Sequence, residues 1–231
     1  MIRVLLWDLD NTLLDFPAAE RAALQKTFAD FSLGPCPDDQ VARFSALNLS
    51  WWHRLERGEV TKAHLLTGRF AAFFQAEGIP CTDYAAFNAA YQDHLGDTIV
   101  FLDHSDRLIR DLKGRVKQYA VTNGTRRAQE RKLAKSGLGE LLDGVFISED
   151  VGAEKPSLDF FQPVLAAIGP YDKEEILLIG DSLTSDMEGG RRAGIPCCWY
   201  NPTGQPIPAG MPIRYDIRHL GQVAEIVTGQ A

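Results

Sequence analysis

Ile2-Arg3-Val4-Leu5-Leu6-Trp7-Asp8-Leu9-Asp10-Asn11-Thr12-Leu13 is the stretch on which the fold turns. Its apolar run stops abruptly at an acidic turn. Such a run reads as a strand buried on both faces, the kind found in parallel sheets. The same pattern recurs along the chain. Tyr119-Ala120-Val121 ends at Thr122-Asn123-Gly124, and Val145-Phe146-Ile147 ends at Ser148-Glu149-Asp150. Ile176-Leu177-Leu178-Ile179 ends at Gly180-Asp181-Ser182, and Cys197-Cys198-Trp199-Tyr200 at Asn201-Pro202. Segments of helical period lie between them: Arg126–Ser136, Leu158–Ile168 and Ser185–Ala193, with Gly137, Gly169 and Gly194 placed as C-caps. Alternating strand and helix predicts a doubly wound α/β domain with a mainly parallel sheet.

From about Pro17 to Gly96 the alternation breaks. No strand is evident there, and the apolar residues fall at helical spacing: Phe28 and Phe31, then Phe44, Leu47, Trp51, Trp52 and Leu55, then Leu65, Phe70, Phe73 and Phe74, then Tyr84, Phe87 and Tyr91. Gly34-Pro35, Arg57-Gly58 and Gly78-Ile79-Pro80 separate the pieces, so the segment reads as about four helices inserted after the first strand. The expected division is an α/β core of residues 1–16 and 97–231 and an all-helical cap of residues 17–96.

Bulk properties limit the function. The chain has 231 residues, 45% of them hydrophobic and 24% charged, which supplies a real core and argues against disorder. A net charge of −7 without a Lys/Arg run excludes a nucleic acid polymer as the expected partner. Cys36, Cys81, Cys197 and Cys198 form no C-x-x-C pair and read as buried free thiols of a reducing compartment. The run before Asp8 is too short and too soon acidic for a signal peptide, and no apolar stretch approaches the ~20 residues that span a bilayer. A cytoplasmic protein, a monomer or weak homo-oligomer with no membrane partner, is expected.

Ligands of open α/β sheets bind beyond the carboxyl ends of the strands, and this chain collects its polar residues there. Asp8 and Asp10 end the first run. They project to one side of an extended chain, where two like charges call for a cation or a shared proton. Alone they serve equally well as turn or helix caps. Thr122 and Asn123 offer a hydroxyl and an amide that suit phosphate oxygens, or an ordinary Asn-Gly turn. Lys155, before Pro156, is a mobile point charge suited to phosphate, or a solvated surface lysine. Asp181 and Asp186 add hard oxygen ligands of the kind Mg²⁺ takes, or a helix N-cap.

Taken together, in this order and at these strand ends, the segments resemble the four motifs of the haloacid dehalogenase-like superfamily. Asp8-Leu9-Asp10-Asn11-Thr12-Leu13 is similar to the first, Thr122-Asn123 to the second, Lys155-Pro156 to the third, and Gly180-Asp181 to Asp186 to the fourth. The inserted helices resemble the cap that many members carry. A narrower resemblance, to bacterial noncanonical pyrimidine 5′-nucleotidases, rests on Leu47 to Phe74 with Gly58-Glu59-Val60-Thr61 and Gly68-Arg69-Phe70, on Ile147 to Gly152, and on Cys198-Trp199-Tyr200-Asn201.

The resemblance implies a Mg²⁺-dependent phosphomonoesterase. Asp8 would be the nucleophile that forms an aspartyl-phosphate, and Asp10 the acid and base, holding a proton to give away. Thr122, Asn123 and Lys155 would bind the phosphoryl oxygens. Asp8, the Asp10 carbonyl and Asp181 would hold the metal, with Asp186 behind them. The expected substrate is a small phosphate ester, a pyrimidine nucleoside monophosphate in the narrower reading. The alternatives are phosphoglycolate, a sugar phosphate, or a non-catalytic phosphate-binding regulator on the same fold. Trp51, Trp52, His53, Phe73, Phe74 and Tyr91 are candidates for leaving-group contacts, although cap core is the larger expectation for each. Arg54 and Arg69 serve as well for surface or salt-bridge positions.

Overall fold

In the computed structural model, which describes residues 1–229, the opening run forms strand β1, Val4–Trp7, with every residue buried. The other strands are β2 Lys117–Thr122, β3 Gly144–Ile147, β4 Ile176–Gly180, β5 Cys197–Tyr200 and β6 Tyr215–Ile217. They form one sheet in the order β3-β2-β1-β4-β5-β6, and all the pairings are parallel. The chain runs outward from β1 through β2 to β3, then crosses to β4 on the other side of β1. That reversal places a crevice above the carboxyl ends of β1, β2 and β4, where ligands of such sheets bind.

The helices are α1 Phe16–Asp30, α2 Asp38–Glu56, α3 Lys62–Glu77, α4 Tyr84–Asp97, α5 Ser105–Leu112, α6 Arg126–Ser136, α7 Leu138–Leu141, α8 Ser148–Val151, α9 Leu158–Ile168, α10 Glu188–Ala193 and α11 Gln222–Thr228. Period-2 alternation divides β1 between two cores. Leu5 and Trp7 face Ile109, Leu177 and Val223, while Val4 and Leu6 face Phe160, Phe161 and Leu178. Helices therefore cover both faces, as a parallel sheet requires.

The inserted segment forms four helices, α1 to α4, around an aromatic core of their own that includes Phe28, Phe44, Phe70, Phe74, Phe87 and Tyr91. Ring pairs such as Phe74–Phe87 at 4.8 Å and Phe70–Phe87 at 4.9 Å meet edge to face, the favoured aromatic geometry. Asp15 caps α1 by accepting from the Ala18 amide at 2.9 Å. Phe73, Phe74 and Tyr91, candidates for leaving-group contacts, lie in this core instead, and Trp51 is buried against His64.

Two elements differ from the sequence expectation. The helix expected from Ser185 begins earlier, as a π-helical turn at Leu183–Met187 that leads into α10. The widened turn, a form that recurs at functional sites, carries Asp186 back toward the Ser182 amide. Strand β6 has no apolar run to announce it; pairing with β5 makes it a strand. All four cysteines are buried and free, and among the described residues no helix is long and apolar enough to cross a membrane.

Candidate active site

The β1 ladder continues one residue past the strand, since the Asp8 amide donates to Ile179 O at 2.9 Å. The chain then turns tightly. Leu13 and Leu14 both donate to Leu9 O, and Asn11 takes a left-handed φ of 65°, which asparagine tolerates. This turn aims Asp8 and Thr12 at the crevice. The Thr12 hydroxyl lies 3.2 Å from Asp8 Oδ2 and 3.4 Å from Asp181 Oδ1.

Lys155 reaches the same point from the loop before α9. Asn123 at the end of β2 holds that loop: its side-chain amide donates to Lys155 O at 2.9 Å and accepts from the Lys155 amide at 2.8 Å. Both polar ends of Asn123 are thus spent on the Lys155 backbone, where the sequence reading had them facing a phosphate. The Lys155 ammonium donates to Asp8 Oδ1 at 2.7 Å, Asp186 Oδ1 at 2.6 Å and Val121 O at 2.8 Å. Burial opposes its charge, but Asp186 and Asp8 outweigh burial and hold its pKa above the ordinary lysine value.

Asp8, Asp181 and Asp186 form an acidic cluster whose ligand atoms lie within 4.8 Å of one another. Burial pushes the Asp8 carboxyl up to about 7, with Lys155 opposing and Asp186 adding to the rise. Asp181 is held well above the carboxylate range by burial, then by Asp8 and Asp186. Two buried carboxylates and a half-buried third thus stand around one ammonium, and the surplus negative charge helps to raise two of them. A hard divalent cation relieves that repulsion, so the donor set fits one. Gly180 leaves room for the cluster: a Cβ there would stand 2.3 Å from the Asp186 carboxylate.

Asp10 points elsewhere. One of its oxygens pairs with the Lys132 ammonium, and the other accepts from Gln129 Nε2 at 2.7 Å. Gln129 also donates to Thr122 Oγ1 at 3.2 Å. That hydroxyl oxygen accepts from Gly124 N as well, which leaves its proton free for another acceptor. Sequence reading missed Lys132 and Gln129. The available signal was period: Ala128, Gln129, Lys132 and Leu133 share the buried face of α6.

The inserted helices reach over this ground. Lys62, at the start of α3, places its ammonium 2.6 Å from Ser148 Oγ and 3.7 Å from Glu154 Oε1. Burial holds its pKa below the ordinary lysine value. Glu56 ends α2, and burial raises its carboxyl above the ordinary value.

Known proteins are similar to this chain in sequence and fold. The HAD-hydrolase YfnB of Bacillus subtilis is 36% identical over 226 residues, which cover 97% of this chain and 95% of YfnB. A crystal structure of YfnB bound to magnesium, which reveals interdomain movement, aligns with a TM-score of 0.91 at 35% identity and covers 98% of both chains. The pyrimidine 5′-nucleotidase PynA of Streptococcus pneumoniae is 36% identical over 203 residues, 87% of this chain and 84% of PynA. The pyrimidine 5′-nucleotidase YjjG of Escherichia coli is 27% identical over 221 residues, 96% of each. The haloacid dehalogenase-like hydrolase family matches residues 5–200, and with these relatives and this sheet the chain belongs to that family.

Proposed function

We propose that this chain is a magnesium-dependent phosphomonoesterase that works through an aspartyl-phosphate and acts on pyrimidine nucleoside 5′-monophosphates. The observation that carries the chemistry is the buried cluster of Asp8, Asp181 and Asp186 around the Lys155 ammonium, with Asp10 two residues from Asp8. An acid at position 10 favours a phosphate ester over a carbon–halogen bond, because an alkoxide needs a proton to leave and a halide does not. The nucleotide assignment rests on the relatedness to PynA and YjjG and on the helical segment 47–74.

In this reading residues 17–96 form the cap, and residues 1–16 with 97–231 form the core. An Asp8 carboxylate oxygen attacks phosphorus in line, the P–O bond to the leaving group breaks, and the phosphoryl group rests on Asp8. Asp10 gives its proton to the leaving oxygen and then takes one from the water that hydrolyses the acyl phosphate. Lys155 and the free proton of Thr122 meet the charge on the transferring oxygens. Asn123 acts through Lys155, whose backbone it fixes. Asp8, Asp181 and the Asp10 carbonyl, with Asp186 behind them, would hold a magnesium ion, which would supply further neutralisation of phosphoryl charge.

A substrate panel tests the reading. UMP, dUMP and dTMP are expected to surpass phosphoglycolate and hexose phosphates in kcat/KM, and the reverse order sinks the nucleotidase assignment. Asp8→Asn is expected to lose turnover by several orders of magnitude while its circular dichroism stays native. Retained activity in that variant refutes the covalent mechanism.

A further inference from the structure

Among the described residues, two buried side-chain polar atoms have no hydrogen-bond partner: Arg69 Nε and Gln129 Oε1. Both side chains are 1% exposed, and both line one cavity, of about 20 Å³, against Asp10. A buried polar atom left unpaired is costly and rare. Here a donor and an acceptor are orphaned together, beside the acid of the reaction.

Neither atom is free to turn away. The Arg69 guanidinium is pinned by Asn48 at 2.7 Å and Asn88 at 3.0 Å, so the direction of its Nε–H is set. Gln129 turns its Nε2 toward Asp10 Oδ2 and Thr122 Oγ1, donating to them at 2.7 and 3.2 Å. Its Oε1 therefore points away from Asp10. Phe16, Trp52 and Leu95 supply apolar wall. The groups come from both sides of the seam, Arg69 from α3 and Gln129 from α6.

We propose that Arg69 and Gln129 read the leaving group: Arg69 Nε donates to the C2 carbonyl oxygen of a pyrimidine base, and Gln129 Oε1 accepts from a hydroxyl of the sugar. The inference rests on the nucleotidase reading above and gives it a specificity device. Asp10 must touch the leaving oxygen, so Gln129, bonded to Asp10, stands beside the atoms next along, which are the sugar. Arg69 approaches from the inserted helices and meets what lies beyond the sugar. Every pyrimidine base carries a carbonyl at C2 and adenine carries none, so one Nε–H separates the two classes. A cavity of this size holds about one water, so a nucleoside enters as α2 to α4 shift from α6.

The test compares kcat/KM for UMP, 2′,3′-dideoxy-UMP and ribose 5-phosphate in the wild type, Arg69→Lys and Gln129→Leu, with melting curves for each protein. Arg69→Lys is expected to lower the ratio of UMP to ribose 5-phosphate by about tenfold or more. Gln129→Leu is expected to erase the wild type's preference for UMP over 2′,3′-dideoxy-UMP, which lacks both sugar hydroxyls but needs the same help from Asp10. Ratios unchanged within about twofold, or an equal fall for all three substrates, overturn the proposal. A second arm needs no variant: the wild type is expected to lose the same factor on the 5′-monophosphate of 4-pyridone riboside, which lacks the C2 carbonyl, and equal use of that analogue refutes the role of Arg69. If the wild type prefers ribose 5-phosphate to every pyrimidine nucleotide, the nucleotidase reading itself has failed. If it prefers UMP and Arg69→Lys keeps that preference, only the inference has.

Discussion

Lys155 is buried with all three of its ammonium contacts made inside the protein, two of them to carboxylates. Replacing it by Met keeps most of the apolar stem, removes the ammonium and strands Asp8 and Asp186. Breaking a buried pair from one side costs about 3–5 kcal/mol, so urea denaturation of Lys155→Met in EDTA is expected to show a loss of that order. Adding Asp186→Asn is expected to recover part of it. A wild-type midpoint in the single variant refutes the view that this ion pair supports the fold. At this scale the sequence was informative about residues at strand ends. Asp8, Asp181, Asp186 and Lys155 were legible because their order and strand-end positions are fixed together. Lys132 and Gln129 were hidden in Arg126–Ser136, a helix so polar that its buried face shows only Ala128 and Leu133 as apolar. What buries Lys132 is Asp10, far away in sequence, and no local pattern reports that pairing.

The seam between α4 and α6 is laced by ion pairs: Asp93 with Arg127, and Asp97 with Arg131 and Lys135. The hydrogen bond from Arg131, then the one from Lys135, hold the Asp97 carboxyl down at about 2 against an ordinary 3.8. A depressed folded value means that the unfolded chain takes up the proton first. The contribution to stability is therefore present above the unfolded value and fades as pH falls through the folded one. Melting midpoints of the wild type and Asp97→Asn are expected to differ at pH 6 and to converge between pH 4 and 2, more weakly in high salt because these groups are exposed. A gap that persists at pH 2 refutes the assignment. Elements with an apolar run or a clear helical period were legible beforehand. Strand β6 was not, because a three-residue strand at the edge of the sheet leaves almost no pattern. The π-helical turn was not, because the position of Asp186 against Ser182 and Lys155 is set by tertiary contacts.

For the whole molecule, the surplus of negative charge around Asp8, Asp181 and Asp186 would couple folding to any cation held there. A cation bound only by the folded state adds about 2.7 kcal/mol at a hundred times its dissociation constant. Magnesium is expected to raise the melting temperature, EDTA to reverse the rise, and Asp181→Asn to abolish it; equal shifts in the wild type and that variant refute the site. The alternation of strands and helices was enough to foresee the doubly wound sheet and the helical insertion. The contacts across the seam were not foreseeable, since each joins residues that are distant in sequence. One such contact has a bearing on engineering. Because Asn123 grips the backbone of Lys155 at both its amide and its carbonyl, the lysine takes its address from strand β2, not from the loop that delivers it. Val151 and Ala153, just before it in the chain, pack against the core formed with Phe160 and Phe161, so the loop is held from both sides, and a change at the partly exposed side chain of Glu154 that keeps the loop's length should leave the ammonium docked in its place.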